Sequence, residues 1–176
     1  MFAIPRIFQF LQSRLTVGAI KFFPGIVPAD FFATASEQPS VFPLSLPADQ
    51  RRLTYNGTAA LYQAAVLAGI GKGDQVLLPA YCCGSELGPF EHLGCDIRFY
   101  KVTDELQVDV EDLFSRVNET TKLVYVTHYF GTAEKNIEKI AAECERRKVP
   151  LLEDCALCLY VNHDVKPLGS FGDFAI

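Results

Sequence analysis

Four short stretches of this chain combine residue types that can do chemistry with positions where a ligand could reach them. The first is Asn56-Gly57-Thr58-Ala59, which opens an Ala- and Leu-rich stretch of helical character. A helix start presents unpaired backbone N–H groups, and a glycine there removes the side chain that would hold a ligand away. A phosphate could therefore dock on Gly57, Thr58 and Ala59. The same residues also read as an ordinary cap, with Asn56 accepting from the first turn. The second is Asp154, which follows the apolar run Val149-Pro150-Leu151-Leu152 and Glu153. A carboxylate at a buried strand end is costly unless paired. A protonated pyridine nitrogen is one partner that would use its charge; capping of the next turn is the plainer use. The third and fourth, Pro79-Ala80-Tyr81-Cys82-Cys83 and Thr127-His128-Tyr129-Phe130-Gly131, also follow apolar runs. In parallel sheets ligands sit at the carboxyl ends of strands, which is where all but the first would lie.

Other chemistries find less support. Cys155-Ala156-Leu157-Cys158 is a C-x-x-C that could join Cys82 and Cys83 in a metal or redox site. No second C-x-x-C and no paired histidine motif accompanies it, so buried thiols acting as small hydrophobes are the simpler reading. His92, His128 and His163 lie far apart, and no Ser/His/Asp arrangement is visible. Gly69-Ile70-Gly71-Lys72-Gly73 follows a helical stretch and precedes an apolar one, the reverse of a dinucleotide fingerprint.

Composition narrows the field further. Lys and Arg total 16 against 21 Asp and Glu, a net charge of −5. There is no basic field for a nucleic-acid backbone. With 49% hydrophobic and 21% charged residues among 176, the chain can build one core of ordinary domain size. Arg6, Arg14 and Lys21 interrupt the apolar patches near the N-terminus, leaving no secretion signal and no run of membrane-spanning length. The expectation is a cytoplasmic protein, off the membrane, with reduced thiols.

These residues need elements to hold them. Residues 1–50 read as an irregular N-terminal arm. Ile4, Ile7, Phe8, Leu11 and Leu15 give it one short stretch of helical spacing, and Pro24, Pro28, Pro39, Pro43 and Pro47 forbid a long element later. From residue 51 the rhythm alternates. Helices are expected over 58–70, 85–93, 110–117 and 136–148. Strands are expected over 75–78, 96–100, 122–127 and 149–153, with a further one begun in 169–176. Such alternation predicts an α/β fold, a mostly parallel sheet with helices on both faces.

Taken in order, the blocks resemble the DegT/DnrJ-type aminotransferases, pyridoxal-phosphate enzymes of the aspartate-aminotransferase fold (fold type I). Asn56-Gly57-Thr58-Ala59-Ala60-Leu61 is similar to the family's phosphate loop, and Gly71-Lys72-Gly73-Asp74 through Pro79 to its G-x-G-D-x-V-x-x-P segment. His128-Tyr129-Phe130-Gly131, Glu153-Asp154-Cys155-Ala156 and Gly169-Ser170-Phe171-Gly172-Asp173 are similar to its H-x-x-G, E-D-x-A and G-S-x-G-D blocks. The resemblance covers about 51–176 and implies a partial large domain that binds pyridoxal 5'-phosphate. It puts the cofactor phosphate on Gly57, Thr58 and Ala59, and the pyridine nitrogen on Asp154. Two positions depart from the pattern. Cys83 stands where an aromatic stacks on the ring, with Tyr81 the nearest aromatic. Leu157 replaces a glutamine near the ring hydroxyl.

In the family the Schiff-base lysine follows the G-S-x-G-D block, which here places it beyond Ile176 and leaves no catalytic residue in the chain. The resemblance thus implies the N-terminal portion of an aminotransferase acting on a nucleotide-sugar keto group with an amino donor. It also implies a homodimer in the full-length form and no activity in this chain by itself. Two alternatives remain open: a non-catalytic remnant binding a phosphate ligand or a protein partner, and a cysteine-based metal or redox protein.

Overall fold

The computed structural model of the chain describes residues 46–158, 161–164 and 166–176. The arm expected over 1–50 lies outside these residues except for its end, where Ala48–Gln50 forms one 3-10 turn.

Helix α1 (Gly57–Leu67) starts on Asn56, whose side chain accepts the Ala59 N–H at 2.8 Å. It buries Leu61, Ala64 and Ala65, the two alanines letting the helix lie close to the sheet. The expected continuation to 70 does not form. Gly69 takes φ +72, and the Ile70 N–H turns back to the Ala65 carbonyl, so the chain leaves the helix in a glycine-terminated cap. Helix α2 (Gly84–Leu93) carries Pro89 inside it. The missing N–H leaves the Ser85 carbonyl without its helical donor. Thr58 Oγ1 donates to that carbonyl at 3.5 Å, tying the start of α1 to the start of α2.

Strands β1 (Gln75–Pro79), β2 (Asp96–Tyr100), β3 (Thr121–Thr127) and β4 (Leu151–Asp154) pair in parallel in the order β2-β1-β3-β4. A hairpin of β5 (Asn162–His163) and β6 (Lys166–Pro167), not expected from the sequence, precedes β7 (Phe174–Ala175), which joins β4 in parallel. The strand expected within 169–176 is thus two residues long. Its approach is taken up by a loop bonded to β4.

The inner strands are apolar on both faces because helices cover both. Val76, Leu78, Leu123, Tyr125 and Leu152 meet α1 and α2. Leu77, Val124, Val126 and Leu151 meet the other face, under α3 (Val110–Ser115) and α4 (Ile137–Arg147). Strand side chains alternate, so Asp154 shares the α1 face with Leu152, and Glu153 shares the opposite face with Leu151. On that opposite face the Cys144 thiol is pushed up to about 12 by burial, then by nearby Asp173 and Glu143; it packs as a small hydrophobe.

Candidate cofactor site

The site is built where β1, β3 and β4 end beneath the starts of α1 and α2. In the parallel register Thr127 stands beside Asp154 and Tyr125 beside Leu152, so all four side chains share one face. Asp154 is 6% exposed. Its Oδ1 accepts the Ala156 N–H at 2.8 Å, and its Oδ2 accepts the hydroxyl proton of Tyr125. Tyr125 is fully buried, edge-on to Phe90, and its own carbonyl accepts the Tyr100 hydroxyl at 2.8 Å. Burial first, and the Asp154 charge second, push the Tyr125 phenol well above its ordinary range, so it stays a neutral donor.

Glu86, on the first turn of α2, accepts the Cys83 S–H at 3.3 Å on Oε1, while its Oε2 is buried with no partner among the described residues. Burial and, more weakly, the Asp154 charge raise this carboxyl. Thr127 Oγ1 is likewise buried and has no hydrogen bond of good geometry among the described residues, although the Tyr125 and Tyr129 hydroxyls are close enough to feel it. Two of the three buried unpartnered side-chain atoms among the described residues therefore sit at this edge, the third being Arg51 Nε. Buried polar atoms normally have partners, so a cluster without them marks a place for a ligand group.

The residues expected from the sequence fit a phosphate and a charged ring in part. The N–H groups of Gly57 and Thr58 have no acceptor among the described residues, and a Cβ at Gly57 would meet nothing within 4 Å. No neighbour among the described residues therefore demands glycine there. The open space suits a ligand at a helix N-terminus. The Ala59 N–H is already given to Asn56, so the phosphate contact expected from it is occupied by the cap. Tyr81 is 53% exposed, its ring edge-on to Tyr129 at 5.5 Å, and its carbonyl accepts the Tyr129 hydroxyl at 2.5 Å. Cys83 is the exposed residue preceding α2, with Sγ 2.8 Å from Ser85 Oγ. Leu157 is 50% exposed and offers no hydrogen bond.

A second network lies under the opposite face. The Glu153 carboxylate accepts from His128 Nε2 at 3.0 Å and from the backbone N–H groups of Gly169 (3.0 Å), Phe171 (2.7 Å) and Gly172 (2.7 Å). His128 Nδ1 accepts the Glu134 N–H at 3.1 Å, so the ring proton must sit on Nε2. Gly172 is sterically required, since a Cβ there would lie 2.7 Å from the Leu151 carbonyl oxygen. This network explains three sequence blocks at once. It ties the H-x-x-G loop, the strand carrying Asp154 and the G-S-x-G-D loop into one rigid base.

The same geometry bears on the metal and redox reading. Donor atoms of His128, Glu153 and Cys155 lie within 4.8 Å of one another. Both ring nitrogens are committed, however, and the carboxylate already has four donors. Cys155 is pushed well above the ordinary thiol range by burial, then by Glu153 and Asp154. Cys158 Sγ donates to the His128 carbonyl at 3.1 Å. Burial and the two neighbouring carboxylates favour the thiol over the thiolate at Cys155.

Tyr125 and Glu86 were not singled out in the sequence, and Thr127 and Glu153 appeared there only within longer stretches. The available signal was parity: residues two apart in β3 share the face on which a strand-end aspartate of the neighbouring strand lies.

Comparison with known proteins agrees with this architecture. The model of the DegT/DnrJ/EryC1/StrS aminotransferase family matches residues 53–176. GDP-perosamine synthase of Vibrio cholerae is 34% identical over 119 residues, 67% of this chain and 32% of that protein. The UDP-4-amino-4-deoxy-L-arabinose–oxoglutarate aminotransferase of Shewanella sediminis is 32% identical over 118 residues, 66% of this chain and 30% of that protein. This chain therefore spans about a third of the length of the curated relatives it matches. Among solved structures, the aminotransferase TlmJ of Streptoalloteichus hindustanus superposes with a TM-score of 0.60 at 28% identity, covering 67% of this chain and 32% of that one. The parallel sheet, the order of the motifs and these matches lead to one conclusion: the chain belongs to the DegT/DnrJ/EryC1/StrS aminotransferase family.

Proposed function

We propose that residues 53–176 form the phosphate-and-ring side of a pyridoxal 5'-phosphate site in a nucleotide-sugar aminotransferase. The observation that carries this reading is the placement of Asp154 on the sheet face covered by α1, whose Gly57 and Thr58 N–H groups have no acceptor among the described residues. When bound, the cofactor supplies the electron sink through which an amino group passes from a donor to a keto group. The chain's own residues do the holding. Gly57 and Thr58 receive the phosphate, with the α1 dipole behind them. Asp154 accepts the ring N–H, stabilising the ring's positive charge. Cys83, from the chain entering α2, would stand beside the ring where the family has an aromatic. The Glu153–His128 network keeps β4 and its neighbouring loops from shifting under that load.

The sugar-nucleotide acceptor is supported by relatives whose names are those of GDP- and UDP-sugar enzymes. The homodimer and the cytoplasmic setting rest on family membership alone. In the described residues no lysine joins Asp154. Lys101 Nζ pairs with Asp112 at 3.7 Å, and Lys166 Nζ lies over the Phe171 ring.

Pyridoxamine phosphate tests the site without forming adducts on surface lysines. Titrated into the full chain, it should bind and quench tyrosine fluorescence. Gly57→Val and Asp154→Asn should each weaken it tenfold or more, about 1.4 kcal/mol, with an unchanged far-ultraviolet spectrum. Equal affinity in all three proteins would sink the assignment.

A further inference from the structure

Tyr125 has no role in the reading above, yet it holds one oxygen of the residue at its centre. It lies in β3, between β1 and β4, with Phe90 against its ring and Tyr100 on its carbonyl. Fully buried and packed on all sides, it cannot swing away from Asp154. With the Ala156 N–H on Oδ1 and the Tyr125 hydroxyl on Oδ2, two donors set the plane of the Asp154 carboxylate before any ligand arrives.

We infer that Tyr125 is a positioning residue for the ring-nitrogen partner. Its hydroxyl fixes the Asp154 carboxylate and draws charge from it, so that Asp154 meets a cofactor ring N–H as a weakened acceptor. This inference rests on the cofactor reading and deepens it. A carboxylate has about four lone-pair sites, so two remain for an incoming N–H. Hydrogen bonds donated to an ionised oxygen are the strong ones, and each shares out its negative charge. Asp154 therefore holds the ring proton less tightly than a carboxylate without the phenol would. The bound ring crosses between pyridinium and pyridine at a lower pH than it would without Tyr125. The other titratable groups facing Asp154 are Glu86 from α2, Tyr129 from the loop after β3, and Cys155 and Cys158 beyond β4. All of them are neutral or negative, and in this set no cation competes with the phenol for the carboxylate.

The test uses the full chain loaded with pyridoxamine phosphate carrying nitrogen-15 in its ring. The nitrogen-15 chemical shift reports ring protonation directly and needs no turnover. Tyr125→Phe should raise the midpoint of the ring titration by about one pH unit, a tenfold change in proton affinity. The chain carrying 3-fluorotyrosine at position 125, a more acidic phenol of nearly the same shape, should lower the midpoint. That second protein keeps the experiment decisive if Tyr125→Phe folds poorly. Bound cofactor with the same midpoint in all proteins overturns the role of Tyr125 and leaves the cofactor reading intact. Absence of binding to the wild-type chain overturns both.

Discussion

Replacing Glu153 with glutamine isolates the charge that holds the base of the site together. The change keeps shape and volume but exchanges one carboxylate oxygen for an amide that donates. In the native chain Oε1 accepts from Phe171 and Gly172, and Oε2 accepts from His128 and Gly169. Whichever way the amide turns, two of these donors face another donor. The imidazole cannot escape by changing tautomer, because Nδ1 must stay free to accept from Glu134. Each buried donor left unpaired costs about 1–3 kcal/mol, so Glu153→Gln should destabilise the chain by roughly 2–6 kcal/mol. Against a total of about 5–15 kcal/mol for an ordinary domain, that loss is large.

The assay is equilibrium urea unfolding of both proteins, with amide exchange read over residues 166–176. The native protein should unfold at higher urea, and the Gly169, Phe171 and Gly172 amides should exchange faster in the variant. The gap should also depend on pH. Burial pulls the Glu153 carboxyl upward, but the His128 ring N–H and the backbone N–H groups of Gly172, Gly169 and Phe171 outweigh it. They hold the carboxyl below its ordinary value of 4.5. A depressed value means the stabilisation is full above the unfolded-state value and is lost as pH falls through the folded one. The difference between the two proteins should thus be constant from neutral pH to about 5 and shrink only in stronger acid. A loss under about 1 kcal/mol with unchanged exchange would refute the network as a source of rigidity.

Two further outcomes follow from the same geometry. Gly172→Ala should lower the melting temperature, because its Cβ would sit 2.7 Å from a backbone oxygen of β4 and force strand and loop apart, costing about 1–3 kcal/mol; an unchanged melting curve would show that the loop is free to move. An aromatic disulfide reagent at pH 8 should label exposed Cys83 first and leave Cys144, buried and raised to about 12, until the chain unfolds; early labelling of Cys144 would mean that α4 does not stay docked on the sheet.

The alternation of apolar strands with amphipathic or Ala-rich helices was legible in the residues themselves, because two periods, 2 and 3.6, need no tertiary information. The end of α1 at Leu67, before Gly69, and the short β7 were harder. The first depends on a left-handed turn, and the second on a loop whose N–H groups are drawn to Glu153 rather than into a ladder. The site divides in the same way. Gly57 before a helix and Asp154 after an apolar strand are local signals, and order along the chain was enough to join them to a family. The sequence could not show that Asn56 already occupies the Ala59 N–H, or that Pro89 leaves a carbonyl for Thr58. That Glu153 and Asp154 face opposite ways follows from the strand period alone, but what each meets on its face does not. One collects four donors into a rigid base, and the other is held by a tyrosine 29 residues earlier. Those outcomes depend on strand register, and register is set by packing between segments distant in sequence.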